Sequence, residues 1–433
     1  MTPNAAPEPP SIEPRQQPDS SGPAEMPLYL WLVALYFFAF GLQFALYPSL
    51  VAFILKASPQ EVGWAQMAIS APMAVFLIWG GVLADRVRAG PALAILQLCF
   101  ALPAFALAAA LAAGVVTYSL AILYALCMGT AAAFMLPIRD AALNGVVARD
   151  AARGKAITIG GAASAVTAVQ IGSQILGILA AQNAGETPAP YFALLGVSVM
   201  LAAGVALRLK APPPPAAGKS LSSALEDIKE GFAYAFKSPV MGPMLWSAAY
   251  MGVFVIGSFQ VLFPIIIRDA YGGSPAQQAE LLAVLFAIFW CASFVSAALL
   301  SRLRPLERPG LALIVSHLIG GVALVSFAVD KPFWMFGAIV AGWGLASGVA
   351  ISMSRTITQS AASPAFLGRV LAIYSLGFFG GAPIGSAITG IAADVWGPRA
   401  AALIPGFGII VAALLLAVFS PIWRIDARAR APD

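Results

Sequence analysis

Gly80-Gly81-Val82-Leu83-Ala84-Asp85-Arg86-Val87-Arg88 is the stretch whose reading decides the fold. It closes a long apolar run and sets one carboxylate and two guanidiniums just beyond it. Charges at such a boundary mark a membrane edge, because arginine and lysine collect in cytoplasmic loops. The 433-residue chain agrees, being 60% hydrophobic and only 10% charged, where a soluble domain carries about 25% charged residues. Mean hydropathy is +0.87. A crossing helix needs about 20 apolar residues. Runs of that kind lie near 28–55, 61–84, 91–113, 117–138, 155–181, 190–208, 240–267, 279–300, 310–329, 333–353, 369–393 and 400–423. The fold class is all-α integral membrane, with twelve transmembrane helices.

Charge placement sets the topology. Of 24 Lys and Arg residues, only Lys56, Arg268, Lys331 and Arg399 fall on the side opposite the chain ends. By the positive-inside rule both termini face the cytoplasm of a cell inner membrane. The net charge of +5 is thereby a topology signal, and the expected partner is the lipid bilayer, with no nucleic acid. Residues 1–27 are rich in Pro, Glu and Ser and read as a disordered cytoplasmic tail. They lack the basic start and cleavage site of a signal peptide. Cys99, Cys127 and Cys291 stand alone in apolar runs, which points to small core residues.

The chain also repeats itself. An offset of 216 residues lays Gly41…Pro48 (GLQFALYP) on Gly257…Pro264 (GSFQVLFP), and Ser58-Pro59 on Ser274-Pro275. The same offset carries Arg86 and Arg88 onto Arg302 and Arg304, Arg139 onto Arg355, and Arg208 onto Arg424. Two parallel six-helix bundles follow, 28–209 and 240–423, flanking a linker at 210–239, with a cytoplasmic tail at 424–433. The linker opens on prolines. It continues through Leu221, Leu225, Ile228, Phe232 and Phe236 at helical spacing, either an amphipathic helix on the membrane or a solvated one. Two packed halves around a midplane cavity are a transporter plan, and Pro48 and Pro264 are placed to kink the first and seventh spans.

Within this frame, Gly81, Leu83, Ala84, Asp85 and Arg86 resemble the loop 2–3 signature of the major facilitator superfamily, with Arg88-Ala89-Gly90 departing from its basic end. Phe134…Pro137…Arg139…Leu143 with Val147-Ala148-Arg149-Asp150 resembles the segment after the fourth span of an exporter branch that includes enterobactin and macrolide efflux proteins. Ser354-Arg355, Phe366-Leu367-Gly368-Arg369-Val370, Tyr374-Ser375 and Pro383-Ile384-Gly385-Ser386 are similar to that branch's segment between the tenth and eleventh spans, and Asp227…Phe232 to its post-linker stretch. The resemblance implies two pseudo-symmetric halves and the export of an amphipathic small molecule, drug- or siderophore-like, by alternating access with proton coupling. An uncoupled facilitator or importer is the alternative. The exporter glycine motif is incomplete, since Ser173 stands where the family has proline.

The resemblance further implies a latch in which Asp85 pairs with Arg139 when the cytoplasmic side closes. Arg86 and Asp140 belong to the same gating group, Asp140 being available to Arg86 or Arg149. In the second half Ser301 replaces the acid, leaving Arg355 and Arg369 with Glu307. No carboxylate falls at midplane, so protons would have to titrate at an edge, where Glu61 and Asp140 lie nearest. His317, the only histidine, falls in the ninth span, which this fold places outside the bundle, and is expected to be structural.

Cavity candidates are amides, aromatics and one adaptable methionine: Gln43, Tyr47, Gln66, Tyr124, Met128, Gln170 and Gln174, then Tyr250, Phe254, Gln260, Trp290, Trp343, Tyr374 and Phe378. Such linings suit amphipathic organic ligands; they also arise as interfacial anchors and helix bridges. The runs hold no metal-ligand cluster and no nucleophile–base set, and no phosphate-binding glycine loop appears. Neither an enzyme, a cofactor nor a bound metal is expected. The working unit is expected to be a monomer carrying a small-molecule substrate.

Overall fold

Inside lipid every backbone N–H and C=O must be satisfied within the protein, which leaves uninterrupted apolar segments no option but helix or closed barrel. The computed structural model describes residues 24–155, 157–185, 187–210, 221–302, 306–361 and 367–425. The first half consists of α1 (Met26–Ile54), α2 (Pro59–Ala84), α3 (Ala89–Ala112), α4 (Tyr118–Ala152), α5 (Ile159–Ala181) and α6 (Ala189–Ala206). A short α7 (Leu221–Lys237) precedes the second half. That half consists of α8 (Met241–Tyr271), α9 (Pro275–Arg302), α10 (Pro309–Ser326), α11 (Phe333–Ala361), α12 (Leu367–Trp396) and α13 (Pro398–Phe419). Twelve of these helices are long and apolar enough to span a bilayer. The tail at 1–23, the proline linker, Arg304, Phe366, the side chains of Asp227 and Arg369, and residues 426–433 lie outside what is described.

Both prolines of the repeat act at the same place. Pro48 and Pro264 sit inside helices, and each helix ends in a π-helical turn, Leu50–Ile54 and Ile267–Tyr271. A proline removes one ladder donor, and a π-turn re-routes the bonds around the gap. α8 has a further π-turn at Gly252–Ile256. There Gly385 of α12 comes so close that a Cβ would lie 1.8 Å from the Val253 carbonyl oxygen, so only glycine fits.

α2 packs along α12 and α5 against α9, while α1 reaches both α8 and α9, which forms the seam between halves. α7 rests on the second half through Phe232 and Tyr234, leaving Phe236 exposed.

Two expectations need correction. The fourth span runs to Ala152, well past 138, because its polar end continues as helix beyond the apolar stretch. Cys99, Cys127 and Cys291 are exposed rather than in the core; on a membrane protein an outward face is as apolar as the interior. His317 sits on a peripheral helix but points inward and is buried.

Candidate transport site

The face opposite the chain ends, here the far face, is shut. Arg268 Nη1 donates to the Ala57 carbonyl at 2.7 Å, tying the end of α8 to the turn after α1. Gly63 of α2 meets Gly390 of α12, where a Cβ on Gly63 would lie 2.8 Å from the Gly390 Cα. On the face carrying the chain ends, the terminal face, α4 and α5 make no extensive contact with α11 or α12 among the described residues. Among the described residues the halves are tied together at the far face, while α4 and α5 stay apart from α11 and α12 toward the terminal face.

The roof of that opening is built on α1. Phe44 inserts its ring between the halves, with centroids 4.8 Å from Phe286, 6.0 Å from Trp290 and 6.2 Å from Phe259. Sequence reading missed Phe44 and Phe286, since nothing separates one phenylalanine in an apolar helix from the next. Around them stand buried polar atoms without a hydrogen-bond partner: Gln66 Nε2, Gln174 Nε2, Gln260 Oε1 and Trp290 Nε1. Gln43 and Gln170 are half-buried on α1 and α5.

Other candidates fall within the individual halves. Tyr47 donates its hydroxyl to the Ala121 carbonyl at 3.2 Å and lies 5.7 Å from the ring of Tyr124, which meets Phe192 edge-on. Met128 is buried on α4. Trp343 is buried against Phe259 and Phe289. Tyr250 shares a 2.5 Å hydrogen bond with His317 Nδ1, and Tyr374 one of 2.5 Å with Ser354. Phe254 covers Gly408 of α13, and Phe378 packs edge-on against Phe379.

At the terminal face Arg139 is buried over the Phe37 ring, 5.2 Å from its centroid. Its carboxylate partner is the neighbouring Asp140, at 2.9 Å, rather than leaving Asp140 for Arg86 or Arg149. Asp85 is exposed, with no ion pair among the described residues. Arg86 lies beside it, also exposed. Arg355 is exposed on α11.

A second ionic group was not foreseen. Asp150, 1% exposed, accepts the backbone N–H groups of Glu25 and Met26 at 2.9 and 3.0 Å and so caps α1. Glu25, itself buried, takes Arg149 at 2.8 Å and Arg153 at 3.3 Å. The Val147–Asp150 motif was the available signal, though its partner lies 125 residues away.

On the far face Glu61 is a capping residue. Its Oε2 accepts from Ser58 N–H at 2.7 Å while Ser58 Oγ accepts from Glu61 N–H at 3.2 Å. Its repeat mate Gln277 makes the same box with Ser274, at 3.0 and 3.3 Å.

Two bundles of six helices with a terminal-face opening at their seam match a known architecture, and residues 29–382 match the profile of the Major Facilitator Superfamily. The chain belongs to that superfamily. It is therefore a multi-pass membrane transporter and not an enzyme. It is 28% identical over 206 residues to the enterobactin exporter EntS of Shigella flexneri, covering 47% of this chain and 46% of that protein. With EntS of Citrobacter koseri it shares 27% over 207 residues, 47% of each chain. The chain thus aligns with about half the length of the curated relatives it matches. Superfamily structures share the fold. The nucleoside transporter NupG gives a TM-score of 0.71 at 16% identity, covering 91% of this chain and 98% of that one. A D-xylose-proton symporter gives 0.71 at 14%, covering 92% and 98%.

Proposed function

We propose that this superfamily member is a secondary carrier that exports an amphipathic small organic molecule by alternating access, acting as a monomer in the cell inner membrane with both termini cytoplasmic. The observation that carries the reading is the seam: a lock on the far face, an opening on the terminal face, and an aromatic roof with unpaired amides between them. Export is supported by the similarity to enterobactin exporters over half the chain. The positive-inside rule supports equating the terminal face with the cytoplasm.

In this reading Asp85 and Arg139 form the latch of the opposite conformation, with Arg86, Asp140, Arg355 and Arg369 around it. The exposed Asp85 and the Arg139–Asp140 pair are what the open state should show. Partly desolvated charges gain on pairing and are solvated when apart, so such a latch can close without locking. Exchanging Asp85 and Arg139 should restore part of the transport lost in Asp85→Asn. An exchange as inactive as the single change would mean that the two never pair.

Protons are the proposed driving ion, through Asp140 or Glu61. A second reading, an uncoupled facilitator, is favoured by Glu61 serving as a cap whose repeat mate is a neutral glutamine. Flux through inverted vesicles with and without a pH gradient separates the two, since a carrier indifferent to the gradient is uncoupled.

A further inference from the structure

We infer that the roof selects uncharged aromatic solutes bearing hydrogen-bond acceptors, and that Trp290 and Gln174 read those acceptors. The inference rests on the carrier reading above and adds the charge class of what is carried.

The groups concerned lie on the seam helices. A Cβ on Gly41 of α1 would sit 2.1 Å from the Gln174 carbonyl oxygen, so α1 and α5 cross at that depth. Phe44 is one turn along α1, and its ring is 6.0 Å from Trp290 of α9. On the other flank Gly63 and Gly257 both approach Ser386 of α12. Gln66 and Gln260 follow these glycines by three residues each, or about 4.5 Å of helix rise. The seam helices α2, α5, α8 and α9 thus each present a polar side chain to the seam, with Gln174 and Trp290 flanking α1 at Gly41 and Phe44.

Each of those four side chains has a buried polar atom with no partner. Buried polar groups in native proteins are nearly always paired, so an unpaired one asks for an explanation. Four on the helices that line the seam point to a partner that comes from outside the chain. The Trp290 N–H can only donate. What it meets must be an acceptor, such as a carbonyl or ether oxygen, while the amides can donate or accept. The rings of Phe44, Phe259 and Phe286 supply the apolar faces on which an aromatic body would lie.

Charge is excluded by what surrounds the roof. Arg139 of α4, over the Phe37 ring about two turns along α1 from Phe44, is already paired with Asp140. Along the seam helices the nearest charged side chains among the described residues are Glu61 and Arg268. Both lie farther toward the far face, one occupied in a cap and the other on the Ala57 carbonyl. An ion brought to the roof would lose its hydration with no counter-charge to replace it. The ring faces attract cations, but more weakly than water does at the moment of desolvation.

The test is transport by the full-length protein in inverted vesicles with three probe sets: uncharged aromatic amides headed by chloramphenicol, planar cations headed by ethidium, and aromatic carboxylates headed by nalidixate. Movement confined to the uncharged set is expected. Trp290→Phe keeps the ring and removes the N–H. It and Gln174→Leu should each raise the half-saturating concentration of a transported amide about three- to tenfold, the worth of one hydrogen bond. Gln174→Leu should melt at the parental temperature, which a packing role would not allow. Gln174→Glu supplies the missing counter-charge and should admit ethidium. Ethidium or nalidixate carried by the parent protein, or variants with unaltered affinity, would overturn the inference while leaving the carrier reading intact. Vesicles that move no member of any set would sink the carrier reading itself.

Discussion

Among the described residues, ionised groups fasten the first half at the terminal face, while two neutral pairs stand deeper in the second half. Asp150, Glu25, Arg149 and Arg153 join the end of α4 to the start of α1 in the first half. In the second, the Tyr250–His317 and Ser354–Tyr374 pairs lie deeper along their helices. The 216-residue offset carries Glu25 onto Met241 and Asp150 onto Phe366. In the other direction it carries Tyr250 onto Ala34 and His317 onto Ala101. Neither fastening is inherited from the duplication. What the halves share is backbone: the proline and π-turn at the far end of α1 and α8, the helix crossings at Gly41 and Gly257, and the capping boxes. The duplication preserved how helices cross and cap, and each half then acquired its own side-chain fastenings.

The largest effect should come from the ionic fastening. Asp150→Ala takes one of two buried carboxylates from beside Arg149 and Arg153 and uncovers two N–H groups of α1. Breaking a buried ion pair from one side costs about 3–5 kcal/mol. Thermal melting of purified protein should fall sharply, and a shift no larger than that of a surface substitution would show that water replaces the carboxylate freely.

The shared crossings come next. Gly385→Ala forces a methyl against the Val253 carbonyl, whose oxygen lies 1.8 Å from the Cβ position. Overpacking of this kind costs about 1–3 kcal/mol. Because the collision is at the α8 π-turn, transport should suffer along with melting. If Gly385→Ala retains full flux, the π-turn of α8 yields more easily than its packing implies.

A smaller effect is expected from the neutral pair. Tyr250→Phe leaves His317 Nδ1 buried without its donor, at about 1–3 kcal/mol. Adding His317→Leu removes the stranded group, so the double variant should melt closer to the parent than the single one. Additive losses in that cycle would mean that the two side chains stabilise the second half independently.

These contrasts also mark what could be read in the sequence. Spans, repeat and edge charges are patterns of residue type along the chain, and all are visible there. Burial was not, because a membrane helix is apolar on both its lipid and protein faces. Cys99, Cys127 and Cys291 therefore resembled core residues, and Phe44 resembled any other phenylalanine. Ion-pair partners were equally hidden. Arg139 had Asp85 and Asp140 as candidate partners along the chain, and it pairs with Asp140. Glu25 sat in what reads as a polar tail, although it is the residue before α1 and is buried.

The smallest expected effect is also the sharpest use of the repeat. Ser58 and Glu61 start α2 with the same box that Ser274 and Gln277 make at the start of α9, so the second half already shows that a neutral amide does this work. Glu61→Gln should leave melting within about 0.5 kcal/mol of the parent, while Glu61→Ala loses roughly 0.5–2 kcal/mol because the box opens. The two variants separate capping from charge. If Glu61 is only a cap, Glu61→Gln transports with the parental response to a pH gradient. If that response disappears while melting is unchanged, the first half has kept a carboxylate for protons where the second kept only its shape.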